Sequence, residues 1–382
     1  MKTQIVWLNV IRFAAFFFLI CCHAADPFYA TATYATVEGA EPVNPDMLQW
    51  GERWMAFVRP CVPLFVMITG ALSFPVRMEM GAFYKKRILR VLYPFLIWSV
   101  LYYLFPWLTG VVGADKSVVQ KCFVWASTDS QSIWPCLENI ARIPFTFDYL
   151  ASHMWYIYML IGLYLYMPVF SAWIERADKR QKEFFLGLWF LSTFLPYLLE
   201  FAGPYAFGTC SWNTFGLFYY FAGFNGYLLL GHYIRFHLDW SFRKTLPAAV
   251  VMLVAGFTIT YLGYGYIMSL PEKTPEQIEL FWTYNTPNVA LMSMAWFLLL
   301  KHVRVSAESR AGKMLDNLAF CGFGIYMIHY FFVGLAYGVI TGLSLPTPLL
   351  IPAAAVLIFV LSWSIVYIVK RYTGKAARYV MG

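Results

Sequence analysis

Ten apolar runs, most close to twenty residues long, leave this 382-residue chain almost no choice of solvent. A backbone in hydrocarbon must satisfy its own hydrogen bonds, and about twenty residues of helix cross the roughly 30 Å apolar layer, so the runs predict transmembrane helices. A barrel is excluded because its strands would be about ten residues of alternating polarity. The predicted helix cores are 6–26, 54–75, 88–108, 152–174, 184–200, 214–234, 246–268, 284–301, 315–338 and 348–369. With 60% hydrophobic and only 13% charged residues, the composition excludes an ordinary soluble domain. The expected fold class is an all-α integral membrane protein of about ten transmembrane helices. No repeat or long linker divides the chain, so a single transmembrane domain over 1–382 with no fused soluble domain is expected.

The charges give an orientation. If the N-terminus is cytoplasmic, Lys2, the 77–90 loop, ERADKRQKE, RFHLDWSFRK, KHVRVSAESRAGK and the tail KRYTGKAAR share one side, which then holds 21 of the 28 Lys and Arg residues. The positive-inside rule therefore puts both termini in the cytoplasm. The opposite loops are acidic, with Asp26, Glu38, Glu41, Asp46 and Glu52 in one and Asp115, Asp129, Glu138 and Asp148 in another. The net charge of +8 is thus topological and implies no nucleic-acid partner. The outer loops at 27–52 and 110–150 exceed ordinary connector length, which suggests a cover over an outward-facing site. The N-terminus reads as an uncleaved first span, because Arg12 interrupts what would be a signal peptide's apolar region. Seven cysteines make no framework, although Cys122 and Cys136 share an outer loop where pairing is open. No HExxH, CxxC or phosphate-loop motif occurs, so neither a metal nor a nucleotide fold is expected.

Inside the first run, WLNVIRFAAFFFLICCHAADPF, lie an arginine and a histidine eleven residues apart, Arg12 and His23. Eleven helical steps return both to nearly one face, roughly 16 Å apart along the axis. An arginine at such depth costs on the order of 3 kcal/mol unless it faces a bundle interior or a wet cavity. His23 suits general-base work near neutral pH, and Asp26, at i+3, is placed to orient it. At the start of the third span, Lys86, Arg87 and Arg90 form a cationic mouth; the two arginines share a face and suit phosphates. His153 and His329 open the fourth span and sit within the outer part of the ninth, with Tyr326 at i−3 from His329. Trp155, Tyr156, Tyr158, Trp125, Trp134 and Trp212 are candidate platforms for a sugar ring, though interfacial enrichment explains most such residues.

These residues occur in a pattern. WLNVIRFAAFFFLICCH resembles the first helix of the acyltransferase 3 family, integral-membrane enzymes that O-acylate extracytoplasmic glycans, whose signature is an Arg followed by a His at this spacing. VPLFVMITG at 62–70, YKKRILRVLYPFLIW at 84–98, HMWYIYMLIGLYLYMPV at 153–169 and FGIYMIHY at 323–330 are similar to further family segments, in order. The resemblance implies that Arg12 and His23 are catalytic and that Arg87 and Arg90 bind acetyl-CoA or another acyl-CoA. Position alone adds Asp26 beside His23, Lys86 beside the two arginines, and His153, Trp155, His329 and Tyr326 near the acceptor. Two departures stand out: Thr69 replaces the usual Ser, keeping a hydroxyl, and Asn9 stands where many relatives carry Asp, which leaves Arg12 in want of another partner. The implied activity is transfer of an acyl group, acetyl before others, from cytoplasmic acyl-CoA to a lipid-linked or surface glycan at a bacterial inner membrane, among membrane lipids and without a metal. The alternative is a glycan exporter or flippase that carries the same polar residues and does no acyl chemistry.

Overall fold

The computed structural model describes residues 6–34, 44–123 and 130–382; of 30–34 only the backbone is described. All defined elements among them are helical. In chain order they begin with α1 Val6–Tyr34, α2 Pro45–Val58, α3 Cys61–Ser73, α4 Met80–Val111, α5 Ser117–Cys122 and α6 Ile133–Arg142. Then come α7 Trp155–Arg176, α8 Lys179–Ser192, α9 Leu195–Phe201, α10 Asn225–Phe236, α11 Phe242–Ser269 and α12 Pro275–Glu279. The chain ends with α13 Pro287–Lys301, α14 Arg310–Ile328, α15 Val333–Thr341, α16 Thr347–Thr373 and α17 Ala377–Met381.

Among the described residues, eight helical stretches are long and apolar enough to cross a membrane. They correspond to eight of the ten expected spans. The other two are shorter helices, and the reasons are local. In 214–234, Gly216 and Gly223 take positive φ of 50° and 93°, so a regular helix starts only at Asn225. In 284–301, Thr286 is extended and Pro287 opens the helix, so α13 has 15 residues. The 27–52 segment is less of a loop than expected. α1 runs through Pro27 to Tyr34, and Asn44 accepts from the Asp46 amide at 2.9 Å to start α2. The second outer segment carries α5, opened by Asp115 accepting from the Ser117 amide at 2.9 Å, and α6. Glu38, Glu41, Trp125 and Asp129 lie outside the described residues.

The chain forms two compact units. The first comprises 1–19, 52–76 and 169–316. Its helices cross closely because the crossing residues are small: a Cβ added to Gly70 would lie 1.9 Å from the Leu228 carbonyl oxygen, and one on Gly231 2.0 Å from that of Met67. This reciprocal pair lets the α3 and α10 backbones touch, a main source of attraction where hydrocarbon gives helices no hydrophobic reason to associate. Asn288 ties α11 to α13 by donating to Thr260 Oγ1 at 2.8 Å, while it accepts from Tyr197 at 2.6 Å.

The second unit comprises 20–51, 77–168 and 317–382. Glu79 caps α4 by accepting from the amides of Gly81 and Ala82, and these bonds hold its carboxyl below the usual range. Further along α4, Tyr102 donates to the Met327 carbonyl at 2.8 Å and stacks on Phe331 at 4.1 Å, and Trp98 donates to the Val380 carbonyl. α4 is thereby fixed to α14 and to the chain's last helix by aromatic side chains that each bring one polar atom to a backbone oxygen.

Candidate active site

A cluster of three imidazoles lies in the second unit. Its ring centroids are separated by 5.2 Å for His23 and His329, 5.3 Å for His153 and His329, and 6.4 Å for His23 and His153. Each ring is placed by a different local device.

His23 rides on the regular part of α1. Its Nδ1 lies 3.0 Å from Asp26 Oδ2, and the other carboxylate oxygen accepts from Tyr29 at 2.7 Å. The i, i+3, i+6 spacing puts all three on one helix face. A carboxylate can only accept, so Nδ1 carries the proton and Nε2 is the basic nitrogen, the arrangement that a general-base histidine needs. Asp26 is itself buried at 4% exposure, which makes the imidazole its natural counterpart.

His153 ends a short 3-10 turn, Tyr149–Met154, just before α7. Asp148 caps that turn by accepting from the Leu150 amide at 3.0 Å, and its own amide donates to Tyr103 Oη at 3.0 Å. The Tyr326 hydroxyl donates to the His153 carbonyl, so the backbone is held on two sides. The ring is 2% exposed, and neither nitrogen has a hydrogen-bond partner. His329 stands where α14 gives way to a 3-10 turn, His329–Phe332. Its Nδ1 lies 2.7 Å from the Tyr326 carbonyl, which fixes the proton on Nδ1 and leaves Nε2 as a fully buried lone pair without a partner. Leaving a buried polar atom unpaired costs about 1–3 kcal/mol, and three such nitrogens side by side are characteristic of a place that receives a ligand's polar groups.

The walls are aromatic. Tyr330 stands 4.9 Å from His153 and 5.2 Å from His23, and its hydroxyl accepts from Ser152 at 3.2 Å; Tyr102 stands 5.0 Å from His153. Sequence reasoning singled out His23, Asp26, His153, His329 and Tyr326, and the fold brings all five together. It missed Tyr29, Tyr330, Ser152 and Tyr102. Tyr29 was legible as the next turn after Asp26. Tyr330 was not, because as the immediate neighbour of His329 it would point about 100° away from it on a regular helix.

Trp155 is peripheral: its ring lies 6.2 Å from Tyr156, which in turn lies 5.7 Å from Tyr326. Trp134 and Trp212 are 74% and 92% exposed and make no wall. Lys86, Arg87 and Arg90 occupy the second and third turns of α4, with the Arg87 guanidinium 5.9 Å from the Phe83 ring. From Arg90 to Tyr102, at the edge of the cluster, α4 rises roughly 18 Å. Cys122 and Cys136 are free thiols, and burial pushes both above the usual range. Among the described residues no group of three or more His, Cys, Asp or Glu side chains is arranged to hold a metal ion.

Arg12 belongs to the first unit. Its Nη1 donates to Asn9 Oδ1 at 2.5 Å, and Asn9 Nδ2 donates to Asp316 Oδ1 at 2.8 Å. The chain that seemed to lack an aspartate beside this arginine has one on α14, one amide away.

The Acyltransferase domain family model, Acyl_transf_3, matches residues 5–367, nearly the whole chain. The protein belongs to this family and is a multi-pass membrane acyltransferase. No curated protein and no solved structure matches it.

Proposed function

We propose that the protein is an O-acyltransferase of the bacterial inner membrane that moves an acyl group, in the first instance acetyl, from cytoplasmic acyl-CoA to a hydroxyl of a lipid-linked or extracytoplasmic glycan. The observation that carries this reading is the Asp26-oriented His23 beside two buried imidazoles, His153 and His329, three of whose four ring nitrogens have no protein partner. His23 Nε2 takes the proton of the acceptor hydroxyl as its oxygen attacks the thioester carbonyl. The carbon–sulfur bond then breaks, and the thiolate of CoA takes the proton from His23, so the base returns to its starting state. Neutral His153 carries one N–H in either tautomer, a donor for the oxyanion, while His329 Nε2 accepts from a sugar hydroxyl.

Arg87, Arg90 and Lys86 take the donor's phosphates, and a pantetheine arm extended along α4 is of the right order to cover the distance from Arg90 to Tyr102. Arg12 is assigned to steadying the thioester donor, the role that the resemblance to the family suggests for it. Both termini lie in the cytoplasm on this reading, as the distribution of Lys and Arg requires.

The test is to incubate purified protein with acetyl-CoA and membrane glycan. Free CoA and a base-labile ester on the glycan are expected. Movement of glycan across a vesicle membrane without thiol release would favour an exporter instead.

A further inference from the structure

The sequence sets Arg12 in a membrane helix with no acidic residue on its own helix one turn before it, and the fold answers from elsewhere. Asp316 lies in the second turn of α14, and its side chain is partly buried. Its carboxylate makes no ion pair among the described residues; the hydrogen bond it accepts comes from the amide of Asn9, which is 9% exposed. That amide accepts from the Arg12 guanidinium on its other side. The two neighbours fix its orientation, since a flipped amide would set NH2 against guanidinium and carbonyl against carboxylate. Asn9 is thus a dipolar spacer between a cation and an anion, both of which need compensation at this depth.

We propose that Asp316 is the counter-charge of Arg12, acting through Asn9, and that it is a positioning residue for acyl transfer. The formal negative charge stands on α14 rather than on the arginine's own helix. The arginine's hold therefore depends on the α1 to α14 packing rather than on α1 alone. A guanidinium held by a bridging amide keeps one direction, which is what a group that takes part in a geometrically exact transfer needs.

The inference rests on Arg12 serving the transfer reaction proposed above, and the experiment separates the two. The full chain carrying Asp316→Asn, and the same chain carrying Asn9→Asp with Asp316→Asn, are purified in detergent. Each is assayed for melting temperature and for acetyl transfer to membrane glycan. D316N should lose transfer by about tenfold or more, the cost of unbalancing a hydrogen bond to a charged group. The double variant returns the carboxylate to α1, directly beside Arg12, and should recover most of the loss. D316N should also melt lower by about 2 °C or more, with recovery in the double variant. Transfer by D316N within twofold of the parent, or a double variant as impaired as D316N, overturns the role. If the parent itself transfers no acyl group, the proposed activity falls, and the melting temperatures alone then decide: recovery upholds the pairing and no recovery refutes it.

Discussion

The two polar devices attached to α1 are built in opposite ways. Around Arg12 the fold supplies an answer: the guanidinium meets an amide and the amide meets a carboxylate. Around His23 the fold supplies an orienting pair and, beside the ring, nitrogens that it leaves unmet. Asp26 and Tyr29 fix the Nδ1 side, while the neighbouring His153 ring and His329 Nε2 are buried with nothing to bond. Satisfied networks hold geometry, whereas unsatisfied buried atoms cost stability and persist where something else repays them. On the function proposed above, the contrast fits a holding role for the arginine and a chemical one for the histidines.

Breaking the orienting side of the histidine cluster should have the largest effect. Asp26→Asn keeps the shape but lets Nδ1 accept a hydrogen bond from the amide, which moves the ring proton to Nε2 and removes the basic lone pair there. Acetyl transfer should fall about 10³-fold, measured as thiol release, with little change in KM for acetyl-CoA. Arg12→Lys comes next. The ammonium cannot reproduce the planar guanidinium, and transfer should fall about 100-fold while the protein still folds. A KM effect larger than the kcat effect would sharpen the assignment of Arg12 to the donor.

His153→Phe sets the comparison against stability. Removing two unpaired buried nitrogens should leave the melting temperature unchanged or raise it, yet transfer should drop about 10- to 100-fold. A marked loss of stability would mean that the ring is held by its protein surroundings after all. The smallest effect on chemistry belongs to Gly70→Ala, far from either device in role. Its Cβ would sit 1.9 Å from the Leu228 oxygen, so α3 and α10 must part. The melting temperature should fall, by a cost of about 1–3 kcal/mol, with transfer per folded molecule nearly kept.

Much of this was legible in the chain. Periodicity and run length located the long helices, and the Arg12 to His23 spacing followed from helix geometry alone. The shortened helices at α10 and α13 were hidden because hydropathy sums over residues, whereas Gly216, Gly223 and Pro287 act on single backbone angles. The three-histidine cluster was legible only as three separate residues. His23, His153 and His329 are more than a hundred residues apart in sequence, and their meeting depends on two 3-10 turns, at Tyr149–Met154 and His329–Phe332, that no run of apolar residues announces. Asp316 was passed over for a related reason: it follows a stretch of cytoplasmic-looking charge, and only packing shows that its carboxylate turns toward Asn9.

The central claim, that His23 is the base of an acyl transfer, is tested most directly by following thiol release from acetyl-CoA in His23→Ala beside the parent protein, with and without membrane glycan. The account predicts release by the parent that depends on the acceptor, and none above background from a variant with the parent's melting temperature. Release by the folded variant within a few-fold of the parent would contradict it.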